Sequence, residues 1–179
     1  MIDKTYPRRK RMRLINYDYS LHGDYFVTIV TQGRISRFGK FKNDDLILND
    51  IGRMIESCYL GLERENDEVD CLDYVVMPNH FHCIIRLLSD NIYLPDLIRM
   101  FKSKTSVLYI QGVKEHSWPA LDQRLWQRGY YEHIIRCDRV FNYIRDYIFH
   151  NPERWYYDRI NPLCCSEPDD INRKIKMLY

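Results

Sequence analysis

Residues 69–88 read VDCLDYVVMPNHFHCIIRLL. Two runs rich in β-branched and aromatic residues meet at Pro78-Asn79, a pair that breaks a strand and starts a turn. The sequence therefore predicts strands over residues 69–77 and 80–88, joined as an antiparallel hairpin. The second run otherwise looks like buried strand. Within it, His80 and His82 stand two residues apart, so their side chains share one face while Phe81 points to the other. Two imidazoles placed side by side can chelate one divalent cation. Taken alone, such a pair is a weak signal that more often marks two polar residues on a solvated strand face.

The rest of the chain builds around this hairpin. Residues 24–32, DYFVTIVTQ, form a third strand pattern, and a loop rich in Gly, Arg and Lys follows over 33–45. Asn49 is placed to cap a helix in which Ile51, Met54, Ile55, Cys58 and Leu62 recur at helical spacing. Pro95 opens a second helix with Leu97, Ile98, Phe101, Thr105 and Leu108 on one side. Residues 129–136 form another strand, and Asp138 caps a last helix that turns Phe141, Ile144 and Ile148 inward and stops at Pro152. The order β-α-β-β-α-β-α predicts an α+β fold, a ferredoxin-like antiparallel sheet with helices. One domain is expected over residues 1–162, with a basic N-terminal arm over 1–23 and a polar C-terminal tail over 163–179.

Charge and cysteine usage narrow the surroundings. No apolar run reaches the roughly 18 residues that span a bilayer. No secretory leader is visible, and six scattered cysteines with no CxxC pair fit reduced thiols in a cytoplasm. The net charge of +2 is uneven. Residues 1–13 hold Lys4, Arg8, Arg9, Lys10, Arg11 and Arg13 against Asp3, six minus one, or +5. A short basic arm without an amphipathic apolar face suits a polyanion better than a membrane. Arg99, Lys102 and Lys104 beside the second helix's apolar stripe, and Arg128 among Trp126, Tyr130 and Tyr131, add cations and rings of the kind that hold single strands.

A metal at the histidine pair needs a further ligand and a reactive group. The last helix offers both: Tyr143, Tyr147 and Asn151 lie along one line at i, i+4 and i+8. Asn151 brings a hard carbonyl oxygen and Tyr147 a hydroxyl. In a chain with fifteen tyrosines, the residues alone favour these two as a roof over the core.

The motifs YDYSLHGDYFVTIVT, FGKF, LILNDIG, YVVMPNHFHCIIRL, FKSKTS, LWQRGYYEHIIR and YIFHNP occur in that order. Across residues 8–157 the chain resembles the REP-associated tyrosine transposases, a branch of the HUH single-tyrosine transposases. The joint occurrence of MPNHxH and YIxxNP carries the resemblance. It implies an HUH endonuclease type of fold, His80 and His82 as metal ligands, Asn151 as a third ligand, and Tyr147 as the nucleophile. It implies Mg²⁺ or Mn²⁺ as cofactor and, as partner, single-stranded DNA with a REP-like hairpin. The expected product is a 5′-phosphotyrosine, and the expected setting is the nucleoid, as a monomer or weak dimer with no membrane. His150, Glu132 and His133 are candidate bases for the phenol, whose ordinary pKa is near 10. Two rivals remain: a non-catalytic binder of hairpin or single-stranded nucleic acid, and a phosphohydrolase that uses water.

Overall fold

The computed structural model describes residues 22–164 and 171–178. The basic cluster Arg8, Arg9, Lys10, Arg11 and Arg13 lies outside the described residues. Strand β1 spans Gly23–Val30, followed by the short strands β2, Gly39–Lys42, and β3, Asp45–Leu48. Helix α1 covers Asp50–Glu65, β4 Val69–Val76, β5 His80–Leu87 and α2 Leu94–Glu115. Strand β6, Tyr131–Ile135, leads into α3, Asp138–Phe149. A 3₁₀ turn over Pro152–Tyr157 follows, and α4, Ile171–Lys176, ends the described chain.

The main sheet has the order β4-β5-β1-β6, with every neighbouring pair antiparallel. The hairpin expected at Pro78-Asn79 joins β4 to β5, with Val76 opposite Phe81. Strand β5 inserts between β4 and β1, the split β-α-β arrangement of the ferredoxin-like fold. Its central place explains why it is apolar on both faces. One face carries Tyr25, Val27 and Ile29 with Phe81, Cys83 and Ile85 in a core shared with α1 and α2. The other carries Phe26 and Ile84 against Val140, Ile144 and Ile148 of α3. Asn49 caps α1 as expected, its side chain accepting a hydrogen bond from the Gly52 N–H at 3.0 Å.

Four local expectations are corrected. The loop expected over 33–45 gives way from residue 39 to the β2–β3 hairpin, which is turned at Asn43 and Asp44, both with positive φ. Asn and Asp tolerate that conformation, and two such residues in succession make the tight turn that matches strand twist. The last helix is preceded by Cys137 rather than capped by Asp138, which is its first residue, and Phe141 is only partly buried while Val140 and Tyr147 are buried. The strand expected over 129–136 is paired only from Tyr131 to Ile135, because the carbonyls of residues 127–129 are taken by Lys102. The segment expected as a polar tail outside the domain adds to the core: Ile171 and Ile175 of α4 are buried in the cluster beneath α3. Only these two positions of the short helix are apolar and inward, too weak a pattern to stand out from a polar segment. Among the described residues, no helix is long and apolar enough to cross a membrane.

Candidate active site

Alternation on β5 places His80 and His82 on the α3 face, beside Ile84 and across from Thr28 of β1. Both imidazoles are fully buried, with ring centroids 4.5 Å apart. Each is held by a polar neighbour. Thr28 Oγ1 lies 2.8 Å from His82 Nδ1, and Asn79 Oδ1 lies 2.8 Å from His80 Nδ1. The Asn79 contact fixes a tautomer. Its amide nitrogen donates to the carbonyls of Arg34 and Ile160, at 3.0 and 3.1 Å, so the oxygen is the atom turned to the ring. His80 Nδ1 therefore carries the proton and donates it, and Nε2 presents a lone pair.

That lone pair faces a carboxylate. Asp158 Oδ2 lies 3.4 Å from His80 Nε2, and both atoms are buried with no hydrogen-bond partner. Two acceptors brought together in the interior repel one another unless a cation lies between them. Asn151 sits beside them, almost wholly buried, with neither its amide oxygen nor its nitrogen hydrogen-bonded. His80, His82 and Asp158 offer ligand atoms that all lie within 4.8 Å of one another. Nitrogen, nitrogen and a hard oxygen, with a second oxygen available from Asn151, form a donor set that fits a divalent ion such as Mn²⁺ or Mg²⁺.

The protonation states agree with that fit. Burial holds His80 below its ordinary pKa, against the opposing pull of the Asp158 carboxylate and of Asn151. His82 is held well below, by burial first and by neighbouring His80 second. Both rings are thus neutral near pH 7, the form in which imidazole binds metals.

Tyr147 comes to this cluster from α3. Its hydroxyl lies 3.5 Å from His82 Nε2, its ring packs edge-on against His82 at 5.3 Å, and Phe26 packs edge-on against it. Tyr143, one turn earlier, packs on the neighbouring core cluster. Asn151 continues the line past the helix end in helical backbone conformation, and the 3₁₀ turn after it carries Trp155 and Asp158 back over the histidines. Trp155 stacks on His80 at 6.0 Å and on Phe41 of β2 at 5.9 Å, so the hairpin that sequence reading took for loop buttresses the site.

The structure thus brings together four residues named from the sequence, His80, His82, Tyr147 and Asn151. It adds Asn79, Thr28 and Asp158, which sequence reading missed. Asn79 had a signal, since it adjoins the first histidine, but it reads as a turn residue. Of the candidate bases, Glu132 alternates with Ile134 toward the α1 and α2 face, away from Tyr147. His133 lies on the α3 side, and burial together with Arg136 lowers its pKa to about 4. His150 Nδ1 is 2.8 Å from the Asp146 carbonyl at the helix end.

Among the described residues, the cations named from the sequence are elsewhere. Lys102 donates to the carbonyls of Gln127, Arg128 and Gly129, at 2.6, 3.0 and 3.2 Å, which uses all three of its protons. Lys104 is hydrogen-bonded to Glu65, and Arg99 pairs with Asp96. Arg128 is exposed.

Comparison with known proteins agrees with this arrangement. The family described as "Transposase IS200 like" matches over residues 45–151, more than half of the chain, a span that holds both histidines, Tyr147 and Asn151 but not Asp158. An uncharacterized protein of Haemophilus influenzae is 31% identical over 166 residues, covering 85% of this chain and 92% of its own length. A putative REP-associated tyrosine transposase from the same organism is 24% identical over 143 residues, covering 78% of this chain and 76% of its own. Among solved structures, a REP-associated tyrosine transposase bound to a REP hairpin superposes with a TM-score of 0.58 at 22% identity, over 79% of this chain and 73% of that one. With its antiparallel sheet, its buried histidine pair and a tyrosine brought to it by the helix that follows β6, this chain belongs to the IS200-like transposase family.

Proposed function

We propose that the protein cuts and rejoins single-stranded DNA beside REP-type hairpins, using a divalent metal and a transient 5′-phosphotyrosine on Tyr147. The observation that carries this reading is the set of buried, unpartnered donor atoms on His80, Asp158 and Asn151, with the Tyr147 hydroxyl beside His82. The names of a relative and of a structural neighbour, REP-associated tyrosine transposases, supply the choice of DNA.

A bound Mg²⁺ or Mn²⁺ would neutralise a non-bridging phosphate oxygen and so lower the barrier to attack by an electron-rich oxygen. The protein's own groups do the remaining work. His80 and His82, held by Asn79 and Thr28, fix where that phosphate sits. The rigid α3, packed through Ile144 and Ile148, aims Tyr147 at it. The Tyr147 hydroxyl gives up its proton as its oxygen forms a bond to phosphorus, the bond from phosphorus to the 3′ oxygen breaks, and that oxygen takes up a proton and leaves as a free 3′ hydroxyl, so protons balance over the step. A strand's 3′ hydroxyl reverses the step and regenerates the phenol, so no nucleotide cofactor is consumed.

The test is recovery of a covalent protein–DNA adduct that survives denaturation, with wild type, Tyr147→Phe and Tyr143→Phe compared in Mn²⁺. The expected result is adduct from wild type and Tyr143→Phe and none from Tyr147→Phe, with DNA binding retained within a few-fold in all three. Adduct from Tyr147→Phe with none from Tyr143→Phe would move the nucleophile one turn. Cleavage with no adduct in any variant would favour hydrolysis by water, and neither cleavage nor adduct would favour a binding protein.

A further inference from the structure

A cavity of about 530 Å³ lies between the N-terminal half of α2 and the segment that leads into β6. It is separate from the histidine cluster, because α2 packs on the opposite face of the sheet. Ile98 and Trp126 are buried in its lining, while Tyr93 is 41% exposed at its edge. Arg99, Arg124 and Arg128 are exposed around it, and Lys102 also lines it. Four cations stand against one acid, Asp96, for a local charge of +3.

Lys102 shapes this cavity rather than binding in it. Its ammonium holds three successive carbonyls, residues 127–129, and so fixes the loop that presents Arg128 and Tyr130. The same segment joins the sheet: the Gln127 N–H donates to the Val30 carbonyl, and Trp126 bridges Thr31. Val30 pairs with His80, so the cavity's wall is two strands from the candidate active site, about 10 Å at ordinary strand spacing.

We propose that this cavity binds unpaired nucleotides of a DNA strand whose continuation enters the active site over the β6 edge. The proposal rests on the reading of the protein as one that processes DNA. Tyr93, exposed at the edge, and the half-buried Tyr130 offer base-stacking surface, and arginines around a concave site suit the phosphates between the bases. A duplex hides the faces of its bases, so the aromatic lining favours a single strand over the stem of a hairpin.

The experiment measures binding of the full chain to a single-stranded oligonucleotide and to a blunt hairpin of equal length, at several salt concentrations in Mn²⁺. Wild type is compared with Arg124→Gln/Arg128→Gln and with Tyr93→Ala, all at solvent-exposed positions. The double variant is expected to bind the single strand several-fold more weakly, with the slope of log affinity against log salt reduced by about 1.4, from about 0.7 for each cation. Tyr93→Ala should weaken binding without changing the slope, and bromodeoxyuridine in the strand should crosslink to a peptide containing Tyr93 or Tyr130. Unchanged affinity and slope in both variants would overturn the proposal, as would an equal loss on the blunt hairpin. Adduct formation, scored separately at saturating DNA, tells a failure of the transesterase reading from a failure of this one. A wild type without adduct but with these binding losses loses only its proposed chemistry.

Discussion

Asp158 and the histidines define the site at the scale of single residues. Asp158 Oδ1 accepts a hydrogen bond from the Ile160 N–H at 2.7 Å, which holds the turn, while Oδ2 is turned toward His80. Asp158→Asn keeps an oxygen for the turn and removes the charge. If Asp158 contributes to metal binding, this change should weaken Mn²⁺ affinity at least about tenfold, read by calorimetry without DNA, with little change in the unfolding midpoint of the metal-free protein. Unaltered Mn²⁺ affinity would leave Asp158 as a turn residue alone. The pH dependence follows from the same burial. The folded pKa values of His80, His82 and His133 lie below that of an exposed imidazole, near 6.5. Below that value the unfolded chain binds more protons than the folded one, so stability falls as pH falls. For His133 the loss continues toward about pH 4. Urea midpoints of the metal-free protein should therefore drop steadily from pH 7 to pH 5, while Mn²⁺ affinity of the folded protein should fall only as pH approaches the depressed values of the buried imidazoles, where protons begin to compete for their lone pairs. A flat urea midpoint over that range would contradict the neutral, buried assignment.

At the scale of elements, the strands and helices were legible where period and punctuation agreed. Pro78-Asn79 between two apolar runs located β4 and β5, and Asn49 located the start of α1. The β2–β3 hairpin was obscured because its strands are only four residues long and rich in Lys and Gly, although Asn43-Asp44 is a turn signal. Strand and helix periodicities put the histidine pair on one face and Tyr143, Tyr147 and Asn151 on one line, but it was the resemblance carried by MPNHxH and YIxxNP that joined His80, His82, Tyr147 and Asn151 into one site. Asp158 was not legible, because it lies beyond Pro152, where no period runs, and only the fold of the 3₁₀ turn returns it to His80. Thr28 was hidden for another reason: its contact with His82 depends on strand register, which one sequence does not state. Helix α4 tests how far local pattern can mislead. Ile175 is fully buried against the α3 cluster, so Ile175→Ala should cost about 2–5 kcal/mol, measured by urea unfolding. A cost below about 0.5 kcal/mol, the range of ordinary surface changes, would return the segment to the status of a peripheral tail.

The whole molecule divides its work between the two faces of one sheet. The α3 face holds the candidate chemistry, the α2 face holds the cationic cavity, and β1 connects them by pairing with β5 on one side and β6 on the other. Residues 1–13, which lie outside the described residues, carry six further cations in the sequence. If the arm engages DNA phosphates, deleting residues 1–13 should lower affinity for a cognate hairpin and flatten its salt dependence. Each phosphate neutralised on a single strand contributes about 0.7 to the slope, so six cations set a ceiling of about 4. Charge alone does not choose sequence, because phosphates are the same on every DNA. An arm that also reads bases must therefore cost the cognate hairpin more than a scrambled one of equal length when it is removed. Titrations of both DNAs at several salt concentrations separate three outcomes. A larger loss on the cognate hairpin makes the arm a reader of sequence, and an equal loss makes it an electrostatic anchor. Unchanged slopes make it a solvated segment that takes no part in binding. Adduct formation at saturating DNA should persist in the first two cases, because β5 and α3 position His80, His82 and Tyr147.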